Sequence, residues 1–396
     1  MSFFRNDAIN RVNLQSGVQA LAQNAGGVFV LVYLLRAGIS VPHAFLAQAA
    51  IAAARFAVRP AMLPLAQWFG LQPLLLTGAV ALAAQYLVLA EVDGLGAAFL
   101  IFLVVSALGE VIYFVSYNAY FAAMADGAQR GRQIAVGQAL AAIAGVAAPV
   151  LGGWSLVAAG PRWTFACVAL VQALSALPLI GLPNVAVLRS APGAWRAARP
   201  AALLIAVDGW FDAAFLFVWQ IALFLTLGAS YAAYGGAMAL AGLVGAAAGL
   251  MVGRHTDLGH GRRAVAIAYV ATAAVVMLRA ASLRSPALAA LANALGGLAM
   301  PLLVPPLASA AQTLAKASPC VLRVMMATEG GWDLGCMGCC LCAAALAAAG
   351  APPWLGVLLA LPALAVGAPL LRTHYPRRTA AGLARPSART TAPWSK

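Results

Sequence analysis

The chain is short of charge. Charged residues are 9% of its 396, and only 10 are Asp or Glu. That supply is too thin to cover a water-soluble protein of this length, because hydrophobic residues reach 64% at a mean hydropathy of +0.91. Also missing is a Gly-rich loop carrying Lys that would cradle phosphates, which argues against ATP as an energy source. Four His residues and no convergent Ser/His/Asp set argue against hydrolysis, so neither an enzyme nor a cofactor is implied. The long Leu/Ala/Val runs lack the period-two alternation of a barrel strand. A removable leader is not expected either, since Met1 to Asn13 is polar and the first apolar span is too long and too polar for one.

What is present is a series of apolar stretches of bilayer length. Inside hydrocarbon only helices or closed barrels satisfy their backbone polar groups, and ~20 residues of helix cross it. Spans fall at 12–34, 43–66, 72–90, 96–119, 134–158, 163–182, 201–227, 232–252, 264–282, 286–312, 326–349 and 353–371. The expectation is an all-α polytopic membrane protein of about twelve transmembrane helices.

Basic residues orient it. With both termini on one side, that side collects Arg5, Arg11, Arg130, Arg132, Arg189, Arg196, Arg199, Arg254, Arg262, Arg263, Lys316 and Arg323. The tail adds Arg372, Arg377, Arg378, Arg385, Arg389 and Lys396, against only Arg36, Arg162, Arg279 and Arg284 on the other side. The termini are therefore expected in the cytoplasm. The net charge of +14 then reads as a topology signal and a contact with anionic lipid, with no folded domain to support nucleic-acid binding. The Ala-, Gly- and Arg-rich usage suggests a high-GC bacterium and hence its inner membrane.

Cys320, Cys336, Cys339, Cys340 and Cys342 gather around the eleventh span, and Cys167 lies in the sixth. A Cys-x-x-Cys in an apolar helix suits a soft metal such as Cu(I) only if a further ligand aims at the same point. Cys is otherwise a small hydrophobe that packs well between helices, and no metal site is expected.

Six spans precede the Pro- and Arg-bearing stretch 183–200 and six follow it. This divides the chain into a first bundle at 1–182, a cytoplasmic linker at 183–200, a second bundle at 201–371 and a basic tail at 372–396. An offset of 193 brings Arg130 onto Arg323, Gly137 onto Gly330 and Gly145 onto Gly338, a faint repeat of fifth span on eleventh.

Two six-helix halves joined by a linker, with both ends on one side, resemble the major facilitator superfamily over nearly the whole chain. Between the eighth and ninth spans, Gly253-Arg254-His255-Thr256-Asp257-Leu258-Gly259-His260-Gly261-Arg262-Arg263 is similar to that family's Gly-x-x-x-Asp-Arg-x-Gly-Arg-Arg loop. Leu258 replaces the first Arg, and one extra residue precedes Gly261. The resemblance assigns Gly253, Asp257, Gly261, Arg262 and Arg263 to a gating latch. The equivalent first-half loop keeps only Gly70, with Gln67 and Trp68 where the family has Asp and Arg. Ala148-Pro149-Val150-Leu151-Gly152-Gly153 in the fifth span is similar to the Gly-Pro-x-x-Gly-Gly segment of the family's exporters and antiporters. Pro149 frees a backbone carbonyl and kinks the helix, while Gly152 and Gly153 permit close helix approach.

Ionisable groups inside the spans carry the chemistry, since a charge near the bilayer centre costs ~2.5–3.5 kcal/mol on insertion scales and so faces water or a partner. Asp208 and Asp212 share a face of the seventh span, Glu329 and Asp333 share one in the eleventh, and Arg55 and Arg59 share one in the second. Glu110 stands alone in the fourth. Asp212 is the first choice for a carboxylate that couples transport to protons, with Arg55 or Arg59 holding an anionic group of the substrate or neutralising those acids. Gln15, Gln19, Gln23 and Asn24 add a polar stripe to the first span.

The expectation is a secondary transporter that exports or exchanges a small organic solute against protons by rocking two bundles about a midplane cavity. The alternative is a non-transporting relative on the same scaffold, acting as a sensor or assembly partner, to which the neutral first-half loop points.

Overall fold

A computed structural model describes residues 6–125, 130–253, 261–316 and 318–373. Twelve helices among them are long and apolar enough to cross a bilayer. We label them α1 (Asp7–Arg36), α2 (Val41–Phe69), α3 (Leu71–Leu89), α4 (Ala97–Met124), α5 (Arg130–Ala158) and α6 (Gly160–Leu179) in the first half. The second half holds α7 (Ala194–Thr226), α8 (Tyr231–Gly253), α9 (Gly261–Ser282), α10 (Pro286–Ala308), α11 (Val321–Ala348) and α12 (Pro353–Thr373). No strand occurs among the described residues. Every span expected from hydropathy is a helix, and α7 starts at Ala194, inside the stretch read as linker.

Local chemistry sets the helix starts. The Asn6 side chain accepts from the Ile9 amide to cap α1, and Ser285 does the same for Leu288 ahead of Pro286 in α10. Several spans are broken rather than straight. α1 passes through a 3-10 turn at Gly27–Phe29, α2 through another at Arg59–Ala61 beside Pro60, and α7 through a π-turn at Ala213–Val218.

Backbones meet where glycines leave room. In α5 and α8, Gly145 lies against Gly242, and Pro149 and Gly153 lie against Gly235, while Gly152 lies against Ala25 of α1. The Pro149 segment of α5 is thus a double seam, one face on its own bundle and one on the other bundle. In α7 and α11, Gly209, Gly331 and Gly335 serve the same end. The outward faces carry Leu100, Ile101 and Val104 of α4 and Ile267 and Val270 of α9, all exposed as lipid-facing positions should be.

The halves touch at both ends. Toward the α1–α2 turn, Phe29 packs edge-on to Tyr231 and Tyr234, and the Tyr234 hydroxyl donates to the Val28 carbonyl at 3.1 Å. At the opposite end Leu322 and Met326 of α11 sink into the first bundle's core with Met62, Leu71 and Leu179. There Arg323 donates to the Arg189 carbonyl at 2.9 Å.

The neutral first-half loop has its own fastening. Gly70, at a positive φ of +82° that favours glycine, turns the chain between α2 and α3. Asn184 just past α6 donates to the Phe69 carbonyl at 2.8 Å and accepts from the Gln72 amide at 3.2 Å. An amide clasp thus holds the turn where the charged loop is absent. Of the second-half loop, Gly253 ends α8, Gly261 opens α9 and Arg263 is exposed in its first turn, while Asp257 lies outside the described residues, as does the tail beyond 373.

Candidate functional site

Arg55 sits fourteen residues from either end of α2 (Val41–Phe69), the middle of a helix long enough to cross a bilayer, ~21 Å from each end at ~1.5 Å per residue. Its guanidinium is buried and meets three carboxylates. Nη1 lies 2.7 Å from Glu110 Oε2 of α4, Nε 3.0 Å from Asp333 Oδ1, and Nη2 3.5 Å from Glu329 Oε2, the last two both on α11. One turn along, Arg59 pairs with the other oxygen of Asp333. Asn118 of α4 donates to Glu329 Oε1 at 2.9 Å. Cations on α2 are therefore locked to anions on α11, across the line between the bundles.

A second arm reaches α7. The Trp332 ring lies 5.1 Å beneath the Arg55 guanidinium, and its Nε1 donates to Asp212 Oδ2 at 3.0 Å. Phe217 packs edge-on against that ring. Asp212 immediately precedes the π-turn, a feature frequent at functional sites. Five helix-borne carboxylates are thus present here against two guanidiniums. Three of the acids contact Arg55, Asp212 is reached through Trp332, and Asp208 stands apart in a narrow pocket inside the second bundle with Phe211, Tyr269, Leu303 and Leu364.

Burial decides how tightly each group is held. The Asp333 side chain is 0% exposed, whereas Glu110 and Glu329 keep 22% and 21%. Asp333 is accordingly the structural centre of the cluster, and the two Glu are the members that can exchange with water.

The stripe on α1 divides. Gln15 is buried and accepts from the Tyr113 hydroxyl at 3.1 Å, and Asn24 donates to its own helix at Ala20. Gln19 is half-buried and Gln23 exposed, on the face opposite the exposed Leu14 and Leu21. The thiols of Cys336, Cys339 and Cys340 are buried in packing, and no metal-ligating group of three is found among the described residues. Arg279, counted with the basic residues of the far side, is buried in the last turn of α9.

Asn118 and the bridging role of Trp332 are absent from the sequence reading. A single amide or indole in an apolar helix has no periodic signature, and only the partner's position gives it one.

The sequence matches the family model described as Major Facilitator Superfamily over residues 15–328. The chain belongs to that family. Among solved structures, the human organic anion transporter MFSD10 (TETRAN) shares 16% identity at a TM-score of 0.67, covering 92% of this chain and 99% of that one. The major facilitator transporter FucP in its outward conformation shares 15% at 0.62, covering 95% of this chain and 100% of that one. At these identities the likeness is one of fold. No curated protein matches the sequence. A membrane transporter is what the family and the twelve helices establish.

Proposed function

We propose that this chain is a proton-coupled secondary transporter of a small organic solute, working by alternating access and exporting its solute in exchange for protons. It lies in a bacterial inner membrane with both termini in the cytoplasm. The observation that carries the reading is the midplane cluster in which Arg55 and Arg59 face Glu110, Glu329 and Asp333 across the bundle interface. Midplane ion sites at the junction of two repeats are where rocking transporters bind and release their coupling ion. Two cations cannot neutralise three carboxylates, so the cluster carries one acid in excess, a place for a coupling proton.

Asp212 is the mobile partner of that cluster. Among the described residues its carboxylate takes one donor, the Trp332 indole, whose ring also receives the Arg55 charge. A proton passing between Asp212 and the Arg55 cluster changes both contacts of Trp332 and so the fit of α7 on α11. An anionic solute group reaching Arg55 must compete with its three carboxylates, whereas Arg59 keeps Nη1 and Nε without a hydrogen-bond partner among the described residues. Export is supported by the kink segment around Pro149, seated as a glycine seam between α1 and α8.

The test is solute accumulation in proteoliposomes under an imposed pH gradient of each sign, over a broad panel of small organic solutes. Accumulation against the solute's own gradient, reversing with the sign of the pH gradient, supports the proposal. Solute that merely equilibrates whatever the pH gradient sinks proton coupling, and no movement of any solute favours the non-transporting alternative.

A further inference from the structure

The seventh helix changes pitch one residue past Asp212. Ala213–Val218 is a π-turn, which widens the hydrogen-bonded ring and frees a carbonyl from its α-helical donor. The Phe215 carbonyl in that turn accepts from Arg279 Nη1 of α9 at 2.7 Å. The same guanidinium stacks 3.8 Å from the centroid of the Phe215 ring and 4.7 Å from that of Trp219. Arg279 is buried, forms no ion pair among the described residues, and its Nε has no hydrogen-bond partner there. Its space is provided by Gly296 of α10, where a side-chain carbon would collide with the guanidinium.

A lone cation is expensive inside a bilayer, and here two ring faces and a carbonyl of one helical turn offset it. All of those partners belong to the π-turn or its last flank, so the charge serves the register of α7. The segment is anchored on both sides. Before the turn, Asp212 accepts from Trp332 at 3.0 Å, and after it Trp219 donates to Asn293 Oδ1 of α10 at 2.9 Å, with Asn293 bound on to the Ala237 carbonyl of α8. If the turn reverted to α-helix, the two flanks would rotate by about 100° relative to one another, and both anchors could not be kept.

The geometry points to Arg279 as a positioning residue that holds α7 in its π register and so aims Asp212 at Trp332. Its consequence for transport rests on the proposed role of Asp212, but the positioning itself does not.

The experiment uses the full chain with Asp212→Cys, purified, reacted with N-ethylmaleimide and read on the peptide bearing position 212 by mass spectrometry. Backgrounds are Arg279, Arg279→Lys and Arg279→Met. Loss of the clamp in Arg279→Met should change the labelling rate at 212 severalfold. Arg279→Lys, which can still donate to the Phe215 carbonyl, should bring the rate back toward that of the parent. Equal rates in all three overturn the proposal, as does a Lys variant no better than Met. Should Arg279→Met fail to fold, Gly296→Ala displaces the guanidinium without removing it. It should shift labelling in the same way, and an unchanged rate there also overturns the idea. Labelling reads geometry without transport, so unaltered transport in Asp212→Asn would refute the role of Asp212 while leaving this result to stand or fall separately.

Discussion

Replacing Arg55 by Met, a side chain of similar length, removes the one cation that touches all three carboxylates of the cluster. Arg59 still pairs with Asp333, so the fully buried acid keeps a partner. Glu110 loses its 2.7 Å ion pair, and Glu329 keeps only the Asn118 amide. Breaking a buried pair by deleting one member costs about 3–5 kcal/mol, because the survivor is left desolvated and unpaired. Both glutamates are about one-fifth exposed, which lets them hydrate and puts the expected cost near the low end, about 3 kcal/mol. The charge count supplies the control. Adding Glu110→Gln restores the parental excess of a single carboxylate over cations, so the double variant should recover much of the loss rather than add to it. The assay is the apparent melting temperature of the purified protein in detergent for the parent, both single variants and the double. The reasoning fails if Arg55→Met melts with the parent, or if the two effects are additive.

Three further outcomes are expected. Trp332→Phe keeps the ring beneath Arg55 but deletes the donor to Asp212, a loss of about 1 kcal/mol that should slow solute-driven proton movement roughly fivefold while the melting temperature barely changes. Gly242→Ala places a carbon against the Gly145 carbonyl and should cost about 1–3 kcal/mol by forcing α5 from α8, whereas Gly236→Ala, with open space around it, should stay within about 0.5 kcal/mol of the parent in the same melting assay. Asn184→Ala removes both hydrogen bonds of the clasp on the Phe69–Gln72 turn and should speed limited proteolysis of the stretch after Pro183 severalfold, with the bilayer-embedded fragments intact.

The membrane-spanning architecture was legible because hydrocarbon leaves so few options. Apolar length alone located every helix to within several residues, and the main shift, α7 beginning at Ala194, comes from an amphipathic first turn that hydropathy passes over. Arg55, Arg59, Glu110, Glu329 and Asp333 were legible singly, since charge inside a span is conspicuous. Their convergence was not, because helical spacing tells which residues share a face and not which helix that face meets. Asp208 and Asp212 show the same boundary, sharing a face yet entering different surroundings, one in a pocket of the second bundle and one on Trp332. The burial of Arg279 was not legible, because it lies in the last turn of α9, where snorkelling is the ordinary expectation. The π-turn that buries it left no mark in residue periodicity. The neutral first-half loop looked like a lost gate, and Asn184 explains how it is held without charge.

In the proposed cycle a carboxylate on α7, joined through Trp332 to the Arg55 cluster, exchanges a proton as solute moves. The most direct measurement is internal pH in proteoliposomes carrying the parent protein or Asp212→Asn, followed as a solute found to be transported is added. Solute-dependent proton movement is expected in the parent, with its loss in Asp212→Asn at equal protein incorporation. Solute transport with no accompanying proton movement in the parent, or the same proton movement in both proteins, would contradict it.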